Sequence, residues 1–135
     1  MRNFLLILSS FTFYLNADLK VSLDQELKTL MPKVIEWRHD IHEHPELGNR
    51  EFRTSNKVKV HLEGLGIKVE SGIAYTGVVG LIEGGKPGPT IALRDDMDAL
   101  PVEEKTGLPF ASKVRTKYLG NDVGVMHACG HDAQD

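Results

Sequence analysis

Thr90-Ile91-Ala92-Leu93-Arg94-Asp95-Asp96-Met97-Asp98-Ala99-Leu100-Pro101 is the stretch on which the fold turns. Ile91 to Leu93 is a short apolar run that reads as a strand. It leads directly into three carboxylates within four residues, Asp95, Asp96 and Asp98. In open α/β sheets, ligands bind beyond the carboxyl ends of strands, so acids placed there point toward a site. Like charges this close repel, and an adjacent cation or metal would relieve them. A solvated acidic turn accounts for the same spacing equally well.

Upstream of this stretch the pattern predicts two helices followed by strands. Leu23, Leu27, Leu30, Val34 and Ile41 recur at three- and four-residue steps, an amphipathic helix. Ser22 with Gln25 and Glu26 reads as its capping box. Pro32 should kink or divide it, and His44-Pro45 should end it, because the residue before proline avoids the helical region. A second helix is predicted from about Phe52 to Leu65, with Gly64 and Gly66 closing it. Ile67 and Val69 then alternate with polar neighbours, and Val78 to Ile82 form an apolar run, both strand-like. Gly84 to Pro89 reads as a turn that pairs the Val78–Ile82 strand with Ile91–Leu93 in a hairpin. Beyond Asp95 the chain reads as loop, punctuated by Pro101, Gly107, Pro109 and Gly120. The expected class is α/β: two helices, then strands of a mixed sheet.

Residues 1–17 have a different character. Arg2 precedes an apolar run from Phe4 to Leu15, and Asn16-Ala17 follow, the layout of a secretory signal cut after Ala17. Leu15 stands where a small residue is preferred. The run is shorter than the ~20 apolar residues of a membrane span. The reading is therefore a signal at 1–17, a folded part at 18–135, and export to the periplasm or outside. A buried N-terminal helix or an uncleaved anchor is the alternative for this segment, and a cytoplasmic location the alternative to export.

Composition narrows the function classes. Among 135 residues, 41% are hydrophobic and 26% charged, which excludes wholesale disorder. Sixteen basic and nineteen acidic residues leave a net charge of −3, so there is no basic field for nucleic acid. One cysteine excludes an intramolecular disulfide and a four-cysteine zinc module. Gly80 to Lys86 imitates a phosphate loop, but Pro87 stands where a hydroxyl and a backbone N–H are needed. His42-Glu43 lacks the second histidine of a zincin, since position 46 is Glu46. His39, His42 and His44 cluster among acids near a helix end; without a ligand spacing, a solvated or structural role is the better reading.

Gly124-Val125-Met126-His127-Ala128-Cys129-Gly130-His131-Asp132 gathers more chemistry. Cys129 and His131 alternate, so an extended or tightly turned backbone could aim both at one ion. Thiolate and imidazole suit zinc and other borderline transition metals. Coordination would also protect an exported lone thiol from oxidation. A small buried cysteine beside a capping histidine is the structural alternative.

Five blocks, taken in order, resemble a known family: Trp37-Arg38-His39-Asp40-Ile41-His42-Glu43-His44-Pro45-Glu46-Leu47-Gly48, Thr76-Gly77-Val78-Val79-Gly80, Gly88-Pro89-Thr90-Ile91-Ala92-Leu93-Arg94, Met97-Asp98-Ala99-Leu100-Pro101 and Met126-His127-Ala128-Cys129-Gly130-His131-Asp132. They are similar to the amidohydrolase group of the aminoacylase/carboxypeptidase dinuclear metallohydrolases. That group includes hippurate hydrolases, N-acyl-amino-acid amidohydrolases and indole-acetyl-amino-acid hydrolases.

The resemblance implies a metallohydrolase catalytic domain with two divalent transition-metal ions (Zn, Mn, Co or Ni) that activate water toward an amide carbonyl. Cys129 and His131 match two metal ligands, and Asp96 and Asp98 match the acidic motif that supports the same site. Two positions depart from the pattern. Asp95 replaces an alanine, and Gln134-Asp135 replace a histidine-threonine pair. Family members are longer, so the chain is expected to be an N-terminal part. The general-base glutamate, later ligands and lid or dimerisation domain would lie beyond it. The implied substrate is a small N-acyl amino acid; a dipeptidase or carboxypeptidase relative and a non-catalytic remnant or binding module are the alternatives. Oligomeric state is not implied.

Overall fold

The helical period that runs through Leu23, Leu27, Leu30 and Val34 is realised as one long helix, α1 (Arg2–Glu43). The computed structural model describes residues 2–133, with side chains from residue 20 onward. The side chains of the expected signal at 1–17, and Gln134-Asp135, lie outside the described residues. Contacts divide the chain into two units, Met1–Trp37 and Arg38–Asp135.

The first unit is the body of α1. Ser22 lies inside the helix and caps nothing, which corrects the capping-box expectation. Pro32 also lies inside, and the helix is not divided there. Proline removes one i→i−4 bond, and the turns on either side hold the helix across that gap. Lys33 supports the last turns of the unit: its Nζ is 2.8 Å from Glu36 Oε1 and 5.7 Å from the centre of the Trp37 ring. Val21, Leu23, Leu27, Leu30 and Met31 are exposed. No helix among the described residues is long and apolar enough to cross a membrane.

The second unit begins with the last turn of α1, which stops at Glu43 just before His44-Pro45, as the proline requires. The second helix, α2 (Phe52–Gly64), follows. Its N-cap residue, Glu51, makes no side-chain cap bond. The cap comes instead from further back: Glu46 Oε1 and Oε2 accept from the backbone N–H groups of Arg53 and Thr54 at 3.0 and 2.8 Å. Glu51 turns inward, where its Oε2 accepts from the buried Thr76 hydroxyl at 2.5 Å.

Next come β1 (Lys68–Ile73) and β2 (Gly77–Leu81). They pair antiparallel with each other, Lys68 opposite Leu81, with a register shift between Ser71 and Ile73. The expected hairpin between Val78–Ile82 and Ile91–Leu93 is therefore not formed. The turn falls earlier, at Ala74 and Tyr75, both at positive φ. Residues 82–98 join no ladder. The reason is length: Gly84-Gly85-Lys86-Pro87-Gly88-Pro89 is a longer connection than the three residues between β1 and β2, and short loops close hairpins. Gly77 is required here, because a Cβ would stand 2.6 Å from the Ile73 carbonyl oxygen.

A second hairpin lies in the stretch read as loop. β3 (Arg115–Tyr118) and β4 (Asn121–Gly124) pair antiparallel. Leu119 and Gly120 form the two-residue turn at φ 47° and 82°, the both-positive geometry of a type I′ turn.

The core is small. Leu47, Ala99 and Val125 are buried together, with Val114 packed on them. Backbone bonds join the same three segments: Ala99 N–H donates to Glu46 O at 2.8 Å, and Leu100 and Met126 exchange bonds at 3.0 Å. Leu47 and Ala99 form a parallel bridge, Leu100 and Met126 an antiparallel one. Asp98 directly precedes this junction in the chain, and His127 directly follows it.

Candidate functional site

Asp98 leaves the core junction one residue before Ala99, and the Cys-Gly-His-Asp turn leaves it shortly after Met126. The turn is tight because Ala133 N–H donates to Gly130 O at 3.0 Å and Gly130 takes φ 82°, a conformation that favours glycine. The 3-10 turn η1 (His131–Ala133) completes it. These two paths bring His131 onto Asp98. His131 Nδ1 stands 2.8 Å from the Asp98 carbonyl oxygen and 3.1 Å from Asp98 Oδ1. A carbonyl only accepts, so Nδ1 carries a hydrogen, and in the neutral ring Nε2 keeps its lone pair. The Asp98 carbonyl holds the ring above the ordinary histidine range; burial opposes it, and the Asp98 and Asp96 charges add to the rise.

The other acids of the motif diverge. Asp96 Oδ1 accepts from Arg94 Nη2 at 2.6 Å on the exposed side. Asp95 lines a cavity of about 440 Å³ with Val58, Leu62, Val78 and Met97. Cys129 is a free, exposed thiol, not a buried packing residue. Among the described residues, no three His, Cys, Asp or Glu side chains already stand together as a metal cage.

Beneath the turn is a buried polar cluster of which sequence reasoning saw only parts. His42, on the last turn of α1, places Nδ1 3.0 Å from Asp132 Oδ2 and Nε2 3.1 Å from Glu104 Oε1. Arg38 Nε adds a bond to the same Asp132 oxygen at 3.3 Å. Glu104 also accepts from the Thr106 hydroxyl and, at 2.6 Å, from Ser112 N–H. Burial raises the Glu104 carboxyl, but the Thr106, His42 and Ser112 bonds outweigh it and hold the group below its usual range. His127 is buried, and among the described residues neither of its ring nitrogens has a hydrogen-bond partner. Its ring centre lies 6.5 Å from that of His42. Burial pushes His127 below the ordinary histidine range, with Asp132 opposing and His42 and His131 reinforcing.

The histidine cluster near the end of α1 thus separates into distinct packing roles. His39 stacks on Phe110 with ring centres 3.8 Å apart, and Phe110 meets His42 edge-on at 5.5 Å. His44 Nδ1 donates to the Asp40 carbonyl at 2.8 Å. Glu104 carries no local motif, and Arg38 belongs to a helical pattern, so only their contacts across the fold mark them. Asp132 is visible in the motif as an acid, but its inward direction is not.

Two helices followed by antiparallel strand pairs, with a Cys-Gly-His-Asp turn set against an acidic segment, share the fold of part of solved α/β metallopeptidase-type structures. Residues 92–134 match the family model described as Peptidase family M20/M25/M40. Among its relatives, Thermostable carboxypeptidase 1 of Saccharolobus solfataricus is 50% identical over 116 residues, 85% of this chain and 28% of that protein. N-acetyl-L-cysteine deacetylase of Bacillus subtilis is 47% identical over 106 residues, 78% of this chain and 24% of that protein. The crystal structure of Bacillus subtilis YXEP, described as a dinuclear metal binding peptidase from the M20 family, superposes with a TM-score of 0.67 at 45% identity. It covers 78% of this chain and 28% of that one. The chain thus spans about a quarter of the length of these relatives.

Proposed function

We propose that this chain supplies the first metal ligands, Cys129 and His131, of a metal-dependent amidohydrolase site acting on N-acyl amino acids. The observation that carries this is the His131 ring: Nδ1 is occupied by Asp98, which leaves Nε2, with no partner among the described residues, to ligate two residues from an exposed thiol. A histidine held through its other nitrogen by a carbonyl or carboxylate is the usual preparation of a metal-ligating imidazole. Thiolate and imidazole form a donor set suited to zinc and other borderline transition metals, and the family resemblance implies two ions, zinc, manganese, cobalt or nickel. Bound there, divalent metal would polarise the amide carbonyl and lower the pKa of a bound water.

This chain's own residues would orient and hold. Asp98 fixes the tautomer and direction of His131. Asp96, tied to Arg94, contributes charge through space. A hydrolytic zinc needs about three protein ligands, an open position and a base, and the described residues offer two prepared donors. Glu104 is occupied by His42, Thr106 and Ser112, so it is not available as a base. The chain on its own is expected to bind metal and not to hydrolyse.

The carboxypeptidase relative supports a second reading. An N-acyl amino acid and the C-terminal residue of a peptide present the same group, an amide whose leaving amine is an amino acid with a free carboxylate. The two readings differ only in the acyl side, which this chain does not define. We also infer that residues 1–17 direct export, on the basic start and apolar core; a reporter fused to them should be exported and shortened near Ala17, and cytoplasmic retention of the uncut fusion would refute it.

The test of the site is a cobalt(II) titration. The wild-type chain should develop a thiolate-to-cobalt charge-transfer absorption with release of a proton. Cys129→Ser should abolish that absorption and His131→Ala should weaken binding. An unchanged spectrum in Cys129→Ser would refute the assignment, and so would turnover of an N-acetyl amino acid by the wild-type chain that Cys129→Ser leaves intact.

A further inference from the structure

His42 is nearly inaccessible, and each of its ring nitrogens stands within hydrogen-bond distance of a carboxylate whose own side chain is buried. Asp132 is 3.0 Å away at 2% exposure and Glu104 3.1 Å away at 0%. These partners come from different parts of the chain. Asp132 belongs to η1 and directly follows His131. Glu104 lies in the loop that Ser112 and Thr106 close around it. One ring at the end of α1 therefore ties down both the turn that carries Cys129 and His131 and the loop beside it.

Asp132 takes a second bond from Arg38, four residues before His42 and so on the same face of α1. Counting formal charges, Arg38 offsets one of the two acids, and among the described residues His42 is the one side chain bonded to both. Buried carboxylates without partners are costly, so the cluster constrains Asp132 to one position. His131 is bound next to Asp132 in sequence and to Asp98 in space.

We infer that His42 is a positioning residue: acting through Asp132, it holds the Cys129–His131 turn in the geometry that receives metal. The metal part of this inference rests on the function proposed above; the part concerning the turn does not.

The experiment has two readouts. The first is backbone amide hydrogen exchange in the metal-free chain. Glutamine at position 42 can present its amide N–H₂ to one carboxylate at a time, so His42→Gln should speed exchange at residues 128–133 while β1 and β2 keep wild-type rates. Unchanged exchange at 128–133 overturns the inference, whatever the metal result. The second is cobalt(II) affinity. His42→Gln should weaken binding about 10–100-fold, as loss of a residue behind a ligand commonly does. In an Asp132→Ala background the same change should add less than about twofold, because the route through Asp132 is already gone. Additive losses overturn the route.

If wild-type chain gives no cobalt–thiolate absorption, the proposed function fails while the exchange result still decides the role of His42. Should His42→Gln not fold, Arg38→Gln replaces it. Its side chain is half exposed, and it removes one of the two bonds holding Asp132. Faster exchange confined to 128–133 supports the inference, and no change there overturns it.

Discussion

Asp98 grips His131 at two points, by its carbonyl oxygen at 2.8 Å and by its Oδ1 at 3.1 Å from the same Nδ1. The backbone contact survives any substitution at 98, and the carboxylate contact does not. Asp98→Ala is therefore expected to weaken metal binding by about 10–100-fold without abolishing it. His131→Ala should remove the proposed ligand itself and cost more. Cobalt titration of the two variants side by side checks this order; an equal loss in both would show that the carboxylate does more than orient the ring.

Glu46 caps α2 from outside the helix, with both carboxylate oxygens on backbone N–H groups of the first turn. Glu46→Ala should destabilise the second unit by about 1 kcal/mol, the usual scale for a lost N-cap. Glu46→Gln, which keeps one oxygen acceptor and loses the charge beside the helix N-terminus, should cost less. Denaturant midpoints of the two variants give the comparison, and an undisturbed midpoint in Glu46→Ala would contradict the cap.

The core of the second unit rests on few residues, so each matters. Leu47→Ala should cost roughly 2–5 kcal/mol. Gly124→Ala should be damaging for a different reason. A Cβ there would stand 2.7 Å from Glu103 Cα, and backbone cannot swing aside as a side chain can. Thermal melts should place both variants well below wild type.

Asp40 gathers cations: Arg53 Nη2 lies 2.7 Å from Oδ1, Lys57 bonds to Oδ2, and His44 approaches at 3.6 Å. Burial pushes its carboxyl up, but the Lys57 and Arg53 bonds and charges win and hold it below the usual value of 3.8. A carboxyl lowered on folding contributes stability that is present above its unfolded pKa and is lost as pH falls through the folded one. The expected loss is therefore confined to pH values below about 4. Being partly exposed, the cluster should contribute no more than about 1 kcal/mol. Stability of Asp40→Asn measured against pH should fall short of wild type near neutrality and converge with it in acid.

Pro32 interrupts the hydrogen-bond ladder of α1 by withholding an N–H from the carbonyl four residues earlier. Pro32→Ala restores that donor and should raise helix stability by up to about 3 kcal/mol. Circular dichroism on heating should show helical signal persisting to higher temperature. A lower melting point would mean that the ring makes a contact worth more than the bond it removes.

What local sequence determined is what depends on near neighbours. The stop of α1 before His44-Pro45 follows from proline sterics, and α2 from its spacing and terminal glycines. The strand character of β1 and β2 follows from alternation, and Gly130 marks a place where the Cys-Gly-His-Asp motif can turn. Tertiary structure decided the partners. Alternation marks a strand without saying which neighbour it pairs with, so β2 joins β1 across a short turn instead of reaching Ile91–Leu93. The β3–β4 hairpin escaped because its turn is Leu119-Gly120, and leucine at positive φ carries no turn signature. The histidine bridge depends on Asp132 and Glu104, which lie 90 and 62 positions from His42. Contacts at that separation leave no periodicity to read. Only the folding of α1, the acidic segment and the turn about Leu47, Ala99 and Val125 brings them within hydrogen-bond distance.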